Sequence, residues 1–395
     1  MRGLPGDVWI IFATTLVNRV GTMVLPFLVL YLAQGLGYSA RRAGFAISVY
    51  GVGGLVGAPI GGRLSDRLGP LRVMQFSLVL SGAILFVVPL VRSLPVVFSL
   101  ILLWAIMTEA VRPASLAAIT SATPGAQRKA AIALDRLAIN LGMSVGPAVG
   151  GFLATVSFTL LFIVDGVTSI ASAFLLTVLL SKRPLPIEVE RVAGAIPGKV
   201  VRRNRQMLIF LLAMFLIGIV FFQMDAALPL YLVRELGFRP SFFGLLFVVN
   251  TVLIIFLEVP LNLATSRWPH RHVLVLGALL LASGFGALAF ATAAQTIVLT
   301  LVVWTFGEMI LLPASAAYVA DLAPTDRRGD YIGAYYVAFG LALATGPWMG
   351  TLFMERFGAL RLWVAVFGAG VSSACLMAIV ADRKPTVVAP GSRGE

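Results

Sequence analysis

Twelve apolar runs, each long enough to cross a bilayer, fill almost the whole of this chain. They lie near 8–33, 42–62, 72–92, 95–120, 130–154, 158–181, 207–233, 241–264, 272–291, 295–320, 330–354 and 359–381. A spanning helix needs about 20 mostly apolar residues. In hydrocarbon a helix satisfies every backbone polar group within its own segment. The expected fold is therefore all-α and polytopic, with twelve transmembrane helices and no room for a soluble domain. Only 12% of the 395 residues are charged and 59% are hydrophobic, against about 25% charged in soluble domains. The first run is too long for a signal-peptide core and no small-residue cleavage site follows it, so it reads as a retained helix.

The net charge of +13 is an orientation signal. With both chain ends on one side of the membrane, most Lys and Arg fall on that side, in 63–72, 128–129, 182–205, 267–271, 327–328 and 383–393. The opposite loops carry only Arg41, Arg42, Arg92, Arg234, Arg239, Arg356 and Arg361. This is the bias that fixes cytoplasmic loops, so both termini are expected in the cytoplasm and nucleic acid is not an expected partner. A lone cysteine, Cys375, gives no disulfide within the chain and no thiolate metal cluster. His270 and His272 sit in a basic loop and read as solvated. With no phosphate-cradling loop and no nucleophile–His–acid set, an enzyme is not expected, and neither is a cofactor beyond an ion gradient.

The chain is also an internal duplication with an offset of 200 residues. Tyr31-Leu32 recurs as Tyr231-Leu232, Gly44 as Gly244, Trp104 as Trp304, Pro113-Ala-Ser115 as Pro313-Ala-Ser315, and Gly146-Pro147 as Gly346-Pro347. The halves are expected at 1–181 and 206–384, joined by a basic, proline-containing linker at 182–205 and followed by a tail at 385–395. Each half holds an even number of spans, so both enter the membrane in the same direction. Such parallel repeats relate about the membrane normal and bind substrate between them near the midplane. Pro59, Pro147, Pro260 and Pro347 are expected to bend their helices, and the glycine-proline pairs at 146 and 346 either to flex or only to pack tightly. The glycine-rich stretch 51–57 lets helices approach closely.

Shared residues build the frame, so charges that break the repeat need another reason. Arg19 corresponds to Ile219, Glu109 to Met309, Arg112 to Leu312, Asp225 to Leu25 and Glu308 to Thr108. A charge at the bilayer centre costs about 2.5–3.5 kcal/mol on insertion scales, which predicts a wet cavity shared by these five. Glu308, Glu109 and Asp225 are the proton-coupling candidates, because a desolvated acid is poised to exchange its proton. Asn18, Arg19, Thr22, Arg112, Gln223 and Trp304 are the expected cavity wall. Glu109 and Arg112 share a helix face, and a simple intrahelical ion pair explains them equally well. Asp165, deep in the sixth run, reads as packing. Asp135 with Arg136 reads as an ion pair or gate contact, and Glu258 as a cavity residue or a bridge.

Two motifs then carry a resemblance. Gly62, Asp66, Arg67, Gly69 and Arg72 form a short basic turn between the second and third runs. Gly142, Gly146, Pro147, Gly150 and Gly151 lie within the fifth. The first resembles the loop signature of the major facilitator superfamily, the second the glycine-proline motif of its antiporters. The opening from Asn18 to Leu32 is similar to bacterial drug–proton antiporters of that family. The resemblance implies two pseudo-symmetric six-helix bundles. Spans 1, 4, 7 and 10 would line the cavity, 2, 5, 8 and 11 gate it, and 3, 6, 9 and 12 support it. It further implies a monomer in a bacterial inner membrane, exporting small amphipathic compounds in exchange for protons by alternating access. A proton-coupled carrier of a specific polar, peptide or lipid substrate is the alternative. Asp66 and Arg67 would latch the halves on the cytoplasmic side when the other side is open. The second-half copy has Ser266 in place of the acid, Pro70 follows Gly69 where a basic residue is usual, and the arginine-then-glycine motif of drug antiporters is missing around Trp104.

Overall fold

The structure, a computed structural model, describes residues 4–123, 125–180, 204–324 and 327–380. Apart from Asn204 and Arg205, the expected linker lies outside the described residues, as does the tail. All regular elements among the described residues are helical. They form the twelve expected spans: span 1 Gly6–Gly35, span 2 Ala40–Leu68, span 3 Pro70–Leu90, span 4 Leu94–Ala122, span 5 Arg128–Val156 and span 6 Phe158–Leu180, then span 7 Arg205–Glu235, span 8 Pro240–Thr265, span 9 His270–Ala287, span 10 Ala294–Leu322, span 11 Arg328–Phe357 and span 12 Ala359–Val380. Loops after spans 2, 4, 8 and 10 share one side with the start of span 1, here the terminal face. Loops after odd-numbered spans lie on the far face.

The structure repeats with the sequence. Spans 1 and 7 both end in a π-turn, Tyr31–Gly35 and Tyr231–Glu235. Each is followed by a glycine at positive φ, Gly37 at 71° and Gly237 at 72°, a conformation that side chains with a Cβ resist. Gly69 does the same work in the loop motif at φ 89°. It reverses the chain after Leu68 so that Pro70, with its fixed φ, can open span 3. Within each half the first span packs on the fifth and sixth, and the second on the fourth.

The prolines do not break their helices: spans 2, 5, 8 and 11 run unbroken through Pro59, Pro147, Pro260 and Pro347. The interruptions fall in the first span of each half. Span 1 stops at Gly21 and resumes at Val24. Span 7 passes through a 3-10 turn, Phe222–Asp225, before resuming at Ala227.

Span 2 shows how the halves meet. One glycine ridge faces span 4 of its own half. A Cβ on Gly53, Gly57 or Gly61 would come within 2.5 Å of Ala105, Ile106 or Ala110. A second ridge faces span 11 of the other half, where Gly44 abuts Thr351 and Gly51 abuts the backbone at Ala344. Spans 5 and 8 make the equivalent crossing, with Gly244 against Gly151 and the Pro147 carbonyl. Three hydrogen bonds cross between the halves among the described residues. The Arg41 amide donates to Glu355 (2.7 Å), the Arg234 guanidinium to the Ala33 carbonyl (2.7 Å) and the Trp348 amide to the Ser48 hydroxyl (3.2 Å). All three lie toward the far face. On the terminal face Asp66 and Arg67 are exposed and make no ion pair among the described residues, so the loop motif is not engaged as a latch. The molecule is held closed on the far face.

Glu355 places its carboxylate at the N-terminus of span 2, where it meets the helix dipole. An exposed interaction of this kind contributes about 0.3–1 kcal/mol, so Glu355→Gln is expected to raise far-face accessibility roughly two- to fivefold. Thiol labelling of a cysteine placed at Arg42 measures this, once Cys375, the free and exposed cysteine, is replaced by serine.

Candidate functional site

Among the described residues, the charges that break the repeat form no ion pair between the halves. In the N-terminal half, Glu109 and Arg112 form the simple intrahelical pair, 3.7 Å apart, with Arg112 65% exposed and Glu109 22%. Tyr50 of span 2 donates its hydroxyl proton to Glu109 Oε1 at 3.2 Å. Gly54, one turn along, lies against the same side chain. Arg19 makes no ion pair among the described residues. It stands within electrostatic reach of Asp135, Asp165 and Tyr50, and the Thr15 hydroxyl donates to Asp135 at 3.0 Å.

In the C-terminal half, Asn250 of span 8 donates to Glu308 Oε2 and to the Thr305 hydroxyl, each at 3.0 Å. Glu258, two turns along span 8, is within electrostatic reach of Glu308. Tyr50 and Asn250 are equivalent at the 200 offset, so each half holds one acid hydrogen-bonded by the same position of its second span. The acids differ by one residue in register, 109 against 308. Asp225 stands at the 3-10 turn of span 7 and makes no ion pair among the described residues.

Two of the expected wall residues, Trp304 and Gln223, are buried. Trp304 is 2% exposed and stacks on Phe285, with centroids 5.2 Å apart, inside its own bundle. Its repeat partner Trp104 is likewise packed edge-on against Tyr50 at 5.1 Å. Gln223 is 1% exposed and donates to the Ile219 and Gly346 carbonyls at 2.9 and 3.0 Å, tying the interrupted span 7 to span 11. Asn18 and Thr22 line a small cavity within the N-terminal bundle. Asn18 donates to Ser169 of span 6 at 3.2 Å and Thr22 to the Asn18 carbonyl at 3.1 Å. Gln223, Asn18 and Thr22 thus meet hydrogen-bond partners within their own half.

The span-5 motif has a structural purpose. Gly142 lies against Arg19, Gly146 against the Arg19 and Thr22 carbonyls, and Gly150 against Met23. Any side chain on that face would displace span 1 where it breaks. Gly151, one position on, turns toward span 8 of the other half. The motif thus touches the interrupted cavity helix and the contact between halves together.

Asp165, read from the sequence as packing, caps the break in span 1. Its Oδ2 accepts from the Met23 and Val24 amides, both at 3.2 Å. These donors lost their helical partners at the break. His270 approaches Asp321 at 3.0 Å, so it is held in a local contact.

The architecture is thus two six-span bundles, joined where span 2 packs on span 11 and span 5 on span 8, each opening with an interrupted span. The family model described as Major Facilitator Superfamily matches residues 10–239 and 226–395, and the chain belongs to that superfamily. It is 25% identical over 360 residues to the MFS-type transporter YqjV of Bacillus subtilis (strain 168), covering 89% of this chain and 87% of that one. It is 24% identical over 357 residues to a Na(+), Li(+), K(+)/H(+) antiporter of Planococcus maritimus, covering 82% and 84%. A shorter match of 162 residues, 26% identical and covering 41% of each chain, is to the quinolone resistance protein NorA of Staphylococcus aureus (strain MRSA252). The nucleoside transporter NupG (D323A mutant) superposes with a TM-score of 0.82 at 13% identity, covering 95% of this chain and 99% of that one, a likeness of fold.

Proposed function

We propose that the protein is a proton-coupled exporter of small amphipathic compounds working by alternating access, with Glu308 and Glu109 as its proton-carrying acids. The observation that carries this reading is the matched pair of acids, each held by a neutral hydrogen-bond donor from a gate helix. Protonation of either acid alters a bond to the helix that moves when the halves rock. A carboxylate inside a membrane protein is kept for such work or for pairing, and Glu308 has no cationic partner within 4 Å among the described residues. Asp225 is the third candidate. The antiporter and quinolone-resistance relatives support exchange and drug export respectively. The distribution of Lys and Arg supports a cytoplasmic position for both termini, and the bacterial relatives support a bacterial inner membrane. The closed far face is then extracellular. The protein acts as a monomer, with protons rather than a bound cofactor as its energy source.

A narrow-specificity carrier of a polar substrate is the second reading. It is favoured by Arg112, a cation exposed in the middle of span 4, where an anionic group can reach it. The deciding experiment is dye and drug efflux from pump-deficient bacteria, with and without a protonophore. Efflux that collapses with the protonophore is the expected result. No efflux across a broad panel would transfer the proposal to the narrow carrier.

A further inference from the structure

The N-terminal bundle contains a small cavity lined by residues of that half, several of them polar, and the roles assigned above to Glu109 and Arg112 make no use of it. Its volume is about 10 Å³, about the room one water needs when polar partners surround it. Its walls include Asp165, Tyr50, Thr22, Thr108 and Ser169. Asp165 is 4% exposed. Its Oδ2 carries both backbone bonds at the break in span 1, and its Oδ1 makes no described hydrogen bond. Tyr50, on another wall, already donates to Glu109 at 3.2 Å. We propose that Asp165, one water in this cavity and the Tyr50 hydroxyl form a proton relay ending at Glu109, which makes Asp165 a further proton site of the transporter.

The transfer balances without any other reactant. The O–H bond of protonated Asp165 breaks and its proton joins the water. The water passes one of its own protons to the Tyr50 oxygen, and Tyr50 releases its original proton to Glu109. Water and tyrosine end neutral, and the charge moves from Glu109 to Asp165. The relay ties the proton to the conformation of span 1, because the Asp165 carboxyl that gains the charge also holds the amides at the helix break. A charged carboxylate binds such amides more strongly than a neutral one.

The surroundings favour a mobile proton over a permanent ion pair. Span 1 contributes Arg19, within electrostatic reach of both Asp165 and Tyr50. Span 2 contributes Tyr50, span 4 Glu109 with Arg112 beside it, and span 5 Asp135, which shares Arg19. Span 3 packs along span 6, and its sole charged residue, Arg72, stands at its terminal-face end. Asp165 is the only charge on span 6 itself.

The relay rests on the proton-coupled reading for its purpose, but a test on the purified protein needs no substrate. Infrared difference spectra across a pH titration in lipid bilayers report each protonated carboxyl as a stretching band. The band lost in Asp165→Asn is expected to shift in Glu109→Gln and again in Tyr50→Phe, which keeps the ring against Trp104 but removes the hydroxyl. An unshifted Asp165 band in both variants overturns the relay, whatever the protein transports. In proteoliposomes, Tyr50→Phe and Asp165→Asn are expected to retain substrate exchange without a gradient while losing proton-driven accumulation at least about tenfold. Wild-type accumulation in both variants overturns the relay, and so does loss of exchange along with accumulation, which marks a structural role. Absence of proton coupling in the wild-type protein instead defeats the functional reading, and the infrared result still decides the relay.

Discussion

Glu308→Gln is expected to reduce proton-driven transport to background while leaving the protein folded and able to exchange substrate across the membrane. The substitution keeps an oxygen for the Asn250 amide, which now bonds Glu308 at 3.0 Å, so the contact between spans 8 and 10 persists. What disappears is the ionisable group. Exchange requires only that the halves rock with substrate aboard, whereas accumulation requires a proton to be taken up on one side and released on the other. The two assays therefore separate coupling from structure. Undiminished accumulation by the variant would remove Glu308 from the coupling mechanism and leave Glu109 and Asp225 to carry it.

The second large effect is conformational. Gly244→Leu is expected to drive the halves apart on the far face, because a Cβ there would sit 2.5 Å from the Pro147 carbonyl oxygen and 3.1 Å from the Gly151 backbone. Both obstacles are main chain, so no side chain can turn aside. Forcing extra carbons into such packing costs about 1–3 kcal/mol. A coupling of that size shifts a two-state equilibrium roughly 5- to 150-fold. Spin labels on cysteines at Thr159 and Arg361, exposed at the far-face ends of spans 6 and 12, would report a longer distance at the expense of the shorter one. An unchanged distance distribution would mean that this crossing does not set the closed state.

The spans and their duplication were legible because bilayer thickness imposes a run length that few other folds demand. The loop and span-5 motifs were legible because close helix approach and a positive φ select glycine at fixed positions, as at Gly69, Gly142 and Gly146. The site was legible only in its residue types. Strict pairing at an offset of 200 set Glu109 against Met309 and Glu308 against Thr108, so a matched pair displaced by one residue looked like two unrelated charges. Tyr50 and Asn250 carried the missing signal, being polar at equivalent places in apolar runs. Trp304 recurs as Trp104, and that repeat marks it as part of the shared frame. The break in span 1 left a fainter trace. Pro26 and Pro229 each occupy the third position of a resumed helix, where the lost amide would lack a partner anyway. Nothing in the sixth run announced that Asp165 would meet the amides freed there, since that depends on how span 6 lies across span 1.

The three hydrogen bonds that cross between the halves have a common form: one side chain in each meets a main-chain group of the opposite half. A peptide carbonyl or amide is supplied by almost any residue, so each link asks evolution to preserve one side chain instead of a matched pair. Opening leaves behind peptide groups and single side chains, each of which water solvates readily. A seam built this way can be opened and resealed on every cycle while its sequence drifts.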